Sequence, residues 1–199
     1  MRRNQKIFVT ILWGAAVLAM LGVVGAGIWI KRPDVPANVL FNAPAFSLTD
    51  QDGKTISDAN LRGNVWVADV FFTSCPGVCP IMEAKLVELQ KAVKLPVLKI
   101  VSLSIDPEHD TPEVMKQYAN GLGADQSRWY FLTGSKDQVF ATARGFNLAA
   151  QPAQGGNAIV HTQKVLLIDQ QNQVRGIYDT NDDESMKKLA EDAKALAAS

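Results

Sequence analysis

The chain has 199 residues, 47% of them apolar, with twenty basic and twenty acidic side chains and a formal charge of zero. That length suits one ordinary domain plus an appendage and leaves no room for two comfortable ones. The apolar share is that of a globular protein that builds its core without disulfide staples.

The zero charge hides an asymmetry. Arg2, Arg3, Lys6, Lys31 and Arg32 all precede the first acid, Asp34, so fifteen basic residues then face twenty acids, a net charge of about −5. A mildly acidic body of this kind argues against a nucleic-acid partner. Residues 1–6 form a short basic N-terminus, and residues 7–30 carry no charged side chain. A helix of that length reaches roughly 36 Å, enough to cross a hydrocarbon core of about 30 Å with some tilt. The expectation is one transmembrane helix with its basic N-terminus on the cytoplasmic side. Val24-Gly25-Ala26 resembles a signal-peptide cleavage site. Against that reading, the apolar run continues past it and exceeds the roughly 7–15 residues of a signal peptide. In both cases the body is exported, to the periplasmic side of the inner (cytoplasmic) membrane. Residues 31–43, with Pro33 and Pro36, and with Pro44 just beyond, read as an extended tether, and residues 44–199 as the folded domain.

Within the domain, Asp52-Gly53 lies between the alternating segments 46–49 and 54–56 and predicts a hairpin. The β-rich run from Asn64 to Phe72 predicts a strand buried on both faces, and 97–105 a second one. Ile81, Leu86, Leu89 and Val93 recur at helical spacing between them. Thr111-Pro112-Glu113 opens a further helix with a capping hydroxyl, a proline and an acid, and Gly121 is expected to end it. A short strand at 129–132 and a helix over 136–146 follow. Segments 165–169 and 174–178 then make a hairpin. Met186, Leu189, Ala190, Ala193 and Leu196 mark an amphipathic C-terminal helix behind Asn181-Asp182-Asp183. This order predicts a mixed α/β sheet with helices on both faces, and right-handed crossovers leave few topologies for it. A cysteine-bearing turn after the first central strand is where a thioredoxin-like fold keeps its chemistry.

Cys75 and Cys79 are the only cysteines, within Thr73-Ser74-Cys75-Pro76-Gly77-Val78-Cys79-Pro80. The unpaired N–H groups and dipole of a helix start favour thiolates there. A spacing of four puts the two side chains about 5–6 Å apart on one helical face. That distance suits two sulfurs on one metal ion and leaves a disulfide within reach after modest adjustment. Thiolate ligands select copper(I) or zinc over magnesium or calcium. A purely structural disulfide would add little stability, because so short a loop removes little chain entropy. A redox-active pair and a metal site both remain open on the cysteines alone, and a third ligand decides between them. Of the two histidines, His161 precedes the apolar strand at 165–168, whose leading loop faces the cysteine turn in thioredoxin-like folds, and it is the candidate ligand. His109, in the polar string Asp106-Pro107-Glu108-His109-Asp110, reads as solvated.

Three blocks in order resemble the Sco (SenC-type) family of copper chaperones for cytochrome c oxidase assembly: residues 73–80, the string Ser104-Ile105-Asp106-Pro107-Glu108-His109-Asp110-Thr111, and Val160-His161-Thr162 before a strand. With the N-terminal anchor the likeness spans essentially the whole chain. It implies a thioredoxin fold and one copper ion held by Cys75, Cys79 and His161. It also implies delivery to the dinuclear copper centre of oxidase subunit II, with other exported copper chaperones or thiol reductases as further partners. The family's spaced aspartates match Asp106 and Asp110. One departure is visible: many members carry an acidic or polar residue before the histidine, and here it is Val160. A carboxylate that orients the imidazole must then come from elsewhere, with Asp106 and Asp110 as candidates; their plainer readings are a turn opening and a helix cap. Such a protein binds metal without turnover. The alternative is a thiol–disulfide oxidoreductase that keeps the oxidase's copper-site cysteines reduced, with Cys75 and Cys79 as its redox-active disulfide. The usual redox motif has two residues between its cysteines, and this chain has three. A peroxidase would need an Arg and Thr beside a reactive cysteine, a pattern missing around Cys75.

Overall fold

The computed structural model describes residues 13, 36, 38–94, 96, 98–151 and 159–199. Apart from Trp13, the apolar stretch 7–30 lies outside them, and no helix among the described residues is long and apolar enough to cross a membrane.

The chain enters through β1 (Phe41–Asn42), then the hairpin of β2 (Ser47–Thr49) and β3 (Thr55–Ser57), and a single turn, α1 (Asp58–Leu61). It continues through β4 (Val65–Phe71), α2 (Val78–Ala92), β5 (Leu98–Ser104), α3 (Pro112–Leu122), β6 (Trp129–Leu132) and α4 (Lys136–Gly145). A two-residue ribbon, β7 (Ala150–Gln151) and β8 (Val160–His161), precedes β9 (Lys164–Ile168), β10 (Gln173–Asp179) and α5 (Asp183–Ala197). The main sheet has the order β1-β10-β9-β4-β5-β6. Strands β4, β5 and β6 are parallel, while β9 runs antiparallel to β4 and to β10. Both parallel crossovers step the same way along the sheet, so the right-handed rule puts α2 and α3 on one face, where they pack together.

The expected strand buried on both faces is found at the centre: every residue of β4 is buried, Asp69 included, as in a sheet covered on both faces. Gly53, at a φ of 75°, supplies the left-handed residue of the β2–β3 turn. The edge strand β6 is blunted by a buried glutamine. The Gln51 amide donates to the Trp129 carbonyl (3.1 Å) and accepts the Phe131 N–H (2.9 Å), standing in for a missing neighbour strand.

Three expectations shift. Phe41 and Asn42, placed in the tether, pair with Val174 and Gln173 as an edge strand. Gly121 lies inside α3, which ends at Gly123; its φ of 68° lets its N–H reach back to the Ala119 and Asn120 carbonyls. Ile81 is exposed rather than core, since it sits five residues before Leu86, about 140° round the helix. Cys79, Met82, Leu86, Val87 and Leu89 are the apolar residues that α2 buries.

Candidate metal centre

Strand β4 runs directly into the cysteine turn, whose N-terminal side is tied down by Asp110. That carboxylate is fully buried and accepts the Thr73 N–H (3.1 Å), the Thr73 hydroxyl and the Ser104 hydroxyl. The Cys75 N–H donates to the Phe72 carbonyl (3.2 Å), and α2 starts at Val78. Pro80 therefore falls in the first helical turn, where its missing N–H costs no hydrogen bond.

His161 arrives from the far end of the chain. Ribbon β7–β8 pairs it with Ala150, the Thr162 N–H donates to the Ala149 carbonyl (2.9 Å), and the Thr180 N–H donates to the Gln163 carbonyl (3.0 Å). The ring sits edge-on to Phe72, with centroids 5.8 Å apart. Its Nδ1 lies 2.8 Å from the Thr162 carbonyl oxygen, which can only accept, so the proton belongs on Nδ1. Nε2 is left with its lone pair facing the Cys79 Sγ at 3.0 Å. The Cys79 N–H in turn lies 3.4 Å from the Cys75 Sγ. The three donor atoms of Cys75, Cys79 and His161 fall within 4.8 Å of one another.

The electrostatics differ at each donor. Burial pushes the Cys75 thiol up, but the Cys79 thiol and the N–H groups of Cys79, Gly77 and Val78 outweigh it, and the net shift is downward. For Cys79, burial first and then the hydrogen bond with Cys75 hold the thiol far above its ordinary value. Burial lowers the His161 pKa, and its bond to the Thr162 carbonyl offsets part of that, so the ring is neutral at pH 7 and able to ligate. Two soft sulfurs, one of them half-exposed, and one neutral imidazole are a donor set for copper(I) or zinc rather than for magnesium or calcium.

Neither candidate aspartate orients the imidazole. Asp106 opens the turn before α3, accepting the His109 and Asp110 N–H groups on its carbonyl, and its carboxylate lies 2.9 Å from Nδ1 of the exposed His109. Asp110 does not cap α3, because Thr111 does so through its own hydroxyl (3.3 Å from the Val114 N). The orienting acceptor is a backbone carbonyl, at Thr162, so residue 160 need not be acidic. No pattern in side-chain types could have revealed it.

A model of the SCO1/SenC family matches residues 38–198. The "SCO1 protein homolog" of Bacillus subtilis is 31% identical over 162 residues, covering 79% of this chain and 83% of the relative. Among solved structures, BsSco, described as a member of the Sco family of cytochrome c oxidase assembly proteins with a disulfide switch, superposes with a TM-score of 0.72 at 30% identity. The match covers 81% of this chain and 96% of that one. Copper-bound ScoI of Bradyrhizobium japonicum gives a TM-score of 0.67 at 26% identity, over 78% of this chain and 99% of that one. A mixed α/β domain of this topology, matched by the family model over nearly all its length, belongs to the SCO1/SenC family.

Proposed function

We propose that this chain is a membrane-anchored metallochaperone that carries one copper ion on Cys75, Cys79 and His161. Its cargo goes to the dinuclear copper centre of cytochrome c oxidase subunit II. The observation that carries this reading is the convergence of two thiols and a neutral imidazole within 4.8 Å at the end of a central strand. Copper is bound in the similar ScoI structure, and BsSco is described as an oxidase assembly protein. Three ligands leave room for an incoming fourth, and the half-exposed Cys75 is the ligand a receiving protein reaches first. Transfer then proceeds by ligand exchange: the acceptor's sulfur or imidazole enters, the Cys75 sulfur leaves, and Cys79 and His161 release the ion in turn.

Purified chain should take up one copper per molecule and hold it through desalting, and Cys75→Ser together with Cys79→Ser should abolish this. A chain that retains zinc but no copper under the same conditions would defeat the reading. The anchor and the outward, periplasmic placement rest on the apolar run 7–30 and its basic flank. Such a chain stays in the membrane fraction after an alkaline wash, whereas release of a shortened soluble form would favour a cleaved signal.

The second reading, a thiol–disulfide oxidoreductase serving the oxidase's copper-site cysteines, is favoured by the Cys79 N–H lying 3.4 Å from the Cys75 sulfur and by the disulfide switch described for BsSco. Its chemistry overlaps with the first, because copper transfer needs free thiolates on both proteins.

A further inference from the structure

Two acids lie fully buried beneath the cysteine turn, and the copper chemistry above uses neither. Asp69 is on β4, and Glu83 is on α2, one helical turn past Cys79; they are 1% and 0% exposed. They lie close enough for each carboxyl to shift the pKa of the other. Among the described residues no N–H or O–H donates to Asp69 Oδ2 or to either oxygen of Glu83, so any hydrogen shared between the two carboxyls must be carried by one of the acids themselves. The other Asp69 oxygen accepts from the Ser102 hydroxyl (2.7 Å), and the Ser102 oxygen is itself filled by the Trp129 indole N–H (2.9 Å). That chain points the serine proton at Asp69 and eases its ionisation, so when one of the two acids is charged it is Asp69 and the proton stays on Glu83. Two ionised carboxylates cannot share such an interior without a counter-charge, and no cation pairs with either among the described residues. Tyr118 completes the surroundings: among the described residues its hydroxyl is buried without a partner, and burial is the main cause that raises its pKa.

We propose that Asp69 and Glu83 share one proton and keep a single negative charge buried under the cysteine turn. This charge makes them specificity-determining residues that favour copper(II) over copper(I) in the loaded site. The first half stands on burial and missing donors alone; the second rests on the copper reading. A fixed negative charge in a low-dielectric interior stabilises the more highly charged ion of a redox pair. No side chain of the pair needs to touch the metal.

The pair also sets a pH dependence whose sign is fixed. Burial pushes Asp69 up to about 7 and Glu83 well above the ordinary carboxylate range. The folded chain thus holds protons that the unfolded chain releases above roughly pH 4, and stability drains away as pH rises from there through about 7. Cys75, Cys79 and Tyr118 face the same region, so the effect is read as a difference between wild type and variants in which those groups are unchanged.

The test uses the full chain, first without metal. Melting temperature should fall from pH 6 to pH 8 in the wild type, and Glu83→Gln, which keeps shape and hydrogen bond but cannot ionise, should flatten that slope. Asp69→Asn should do the same. With copper added, Asp69→Asn, which removes the charge, should shift the ratio of copper(II) to copper(I) dissociation constants at least tenfold towards copper(I), a rise in midpoint potential of about 59 mV, and Glu83→Gln, which leaves the charge on Asp69, should shift it less. Equal pH slopes in wild type and both variants would overturn the shared proton. An unchanged dissociation-constant ratio in Asp69→Asn would overturn the bias. Failure of the wild type to bind copper would overturn the copper reading and the bias together, and would be recognised because the pH profile reports the acid pair on its own.

Discussion

Replacing His161 with alanine should weaken copper binding by more than about 100-fold, since loss of a group behind a ligand already costs roughly 10–100-fold and this removes a ligand itself. Among the described residues the imidazole is one of three converging donors, with its Nε2 3.0 Å from the Cys79 sulfur. The cysteine turn does not depend on it: Thr73 is held by Asp110, and the Cys75 N–H by the Phe72 carbonyl. Cys75 and Cys79 should therefore still close a disulfide in the variant, because thiol exchange follows thiolate character and access rather than an imidazole ligand. Copper(II) bound by thiolate absorbs intensely through sulfur-to-metal charge transfer, and that band should move when the imidazole is lost. His109→Ala is the matched control, deleting an exposed ring that pairs with Asp106. Equal copper binding in both variants, with brisk disulfide reduction, would promote the oxidoreductase over the chaperone.

The Asp110→Ala chain should lose about 3–5 kcal/mol of stability, measured by denaturant unfolding. The carboxylate is fully buried and takes the Thr73 N–H, the Thr73 hydroxyl and the Ser104 hydroxyl, so its removal strands three donors in the interior. Hydrogen bonds to a charged group contribute about 1.5–3 kcal/mol each, and buried donors left without partners add their own desolvation cost. Thr73 lies two residues before Cys75, so the looser turn should also weaken copper loading. Asp106→Ala makes the contrast: its carboxylate pairs with the exposed His109, and solvent-screened pairs of this kind contribute little to stability. A comparable loss of stability in both variants would mean that the hydrogen bonds around Asp110 carry no special weight.

The two aspartates also mark the limit of what could be read in advance. They occupy one short polar string, and both were candidates to orient the imidazole. Only packing separates them, one buried under the cysteine turn and the other at the surface beside His109. Local signals were legible because each depends on neighbours a few residues away. The β-rich run of β4, the turn glycine at 53, the Thr111-Pro112 helix start and the four-residue cysteine spacing all belong to that class. The amino-acid sequence by itself determined a strand that ends in a helix-opening dithiol turn, and it pointed to His161 through the apolar strand behind it.

What the tertiary structure decided lies at longer range. It brought His161 to Cys79 across 82 residues, through a two-residue ribbon too short and too polar to carry a periodic pattern. It assigned the orienting bond to the Thr162 carbonyl, a group that every residue carries and no sequence can single out. It turned Ile81 outward and Glu83 inward on the same helix. Helical spacing says which residues share a face, but which face meets the sheet depends on every other element that packs there, and that is why an acid came to lie beneath the cysteine turn.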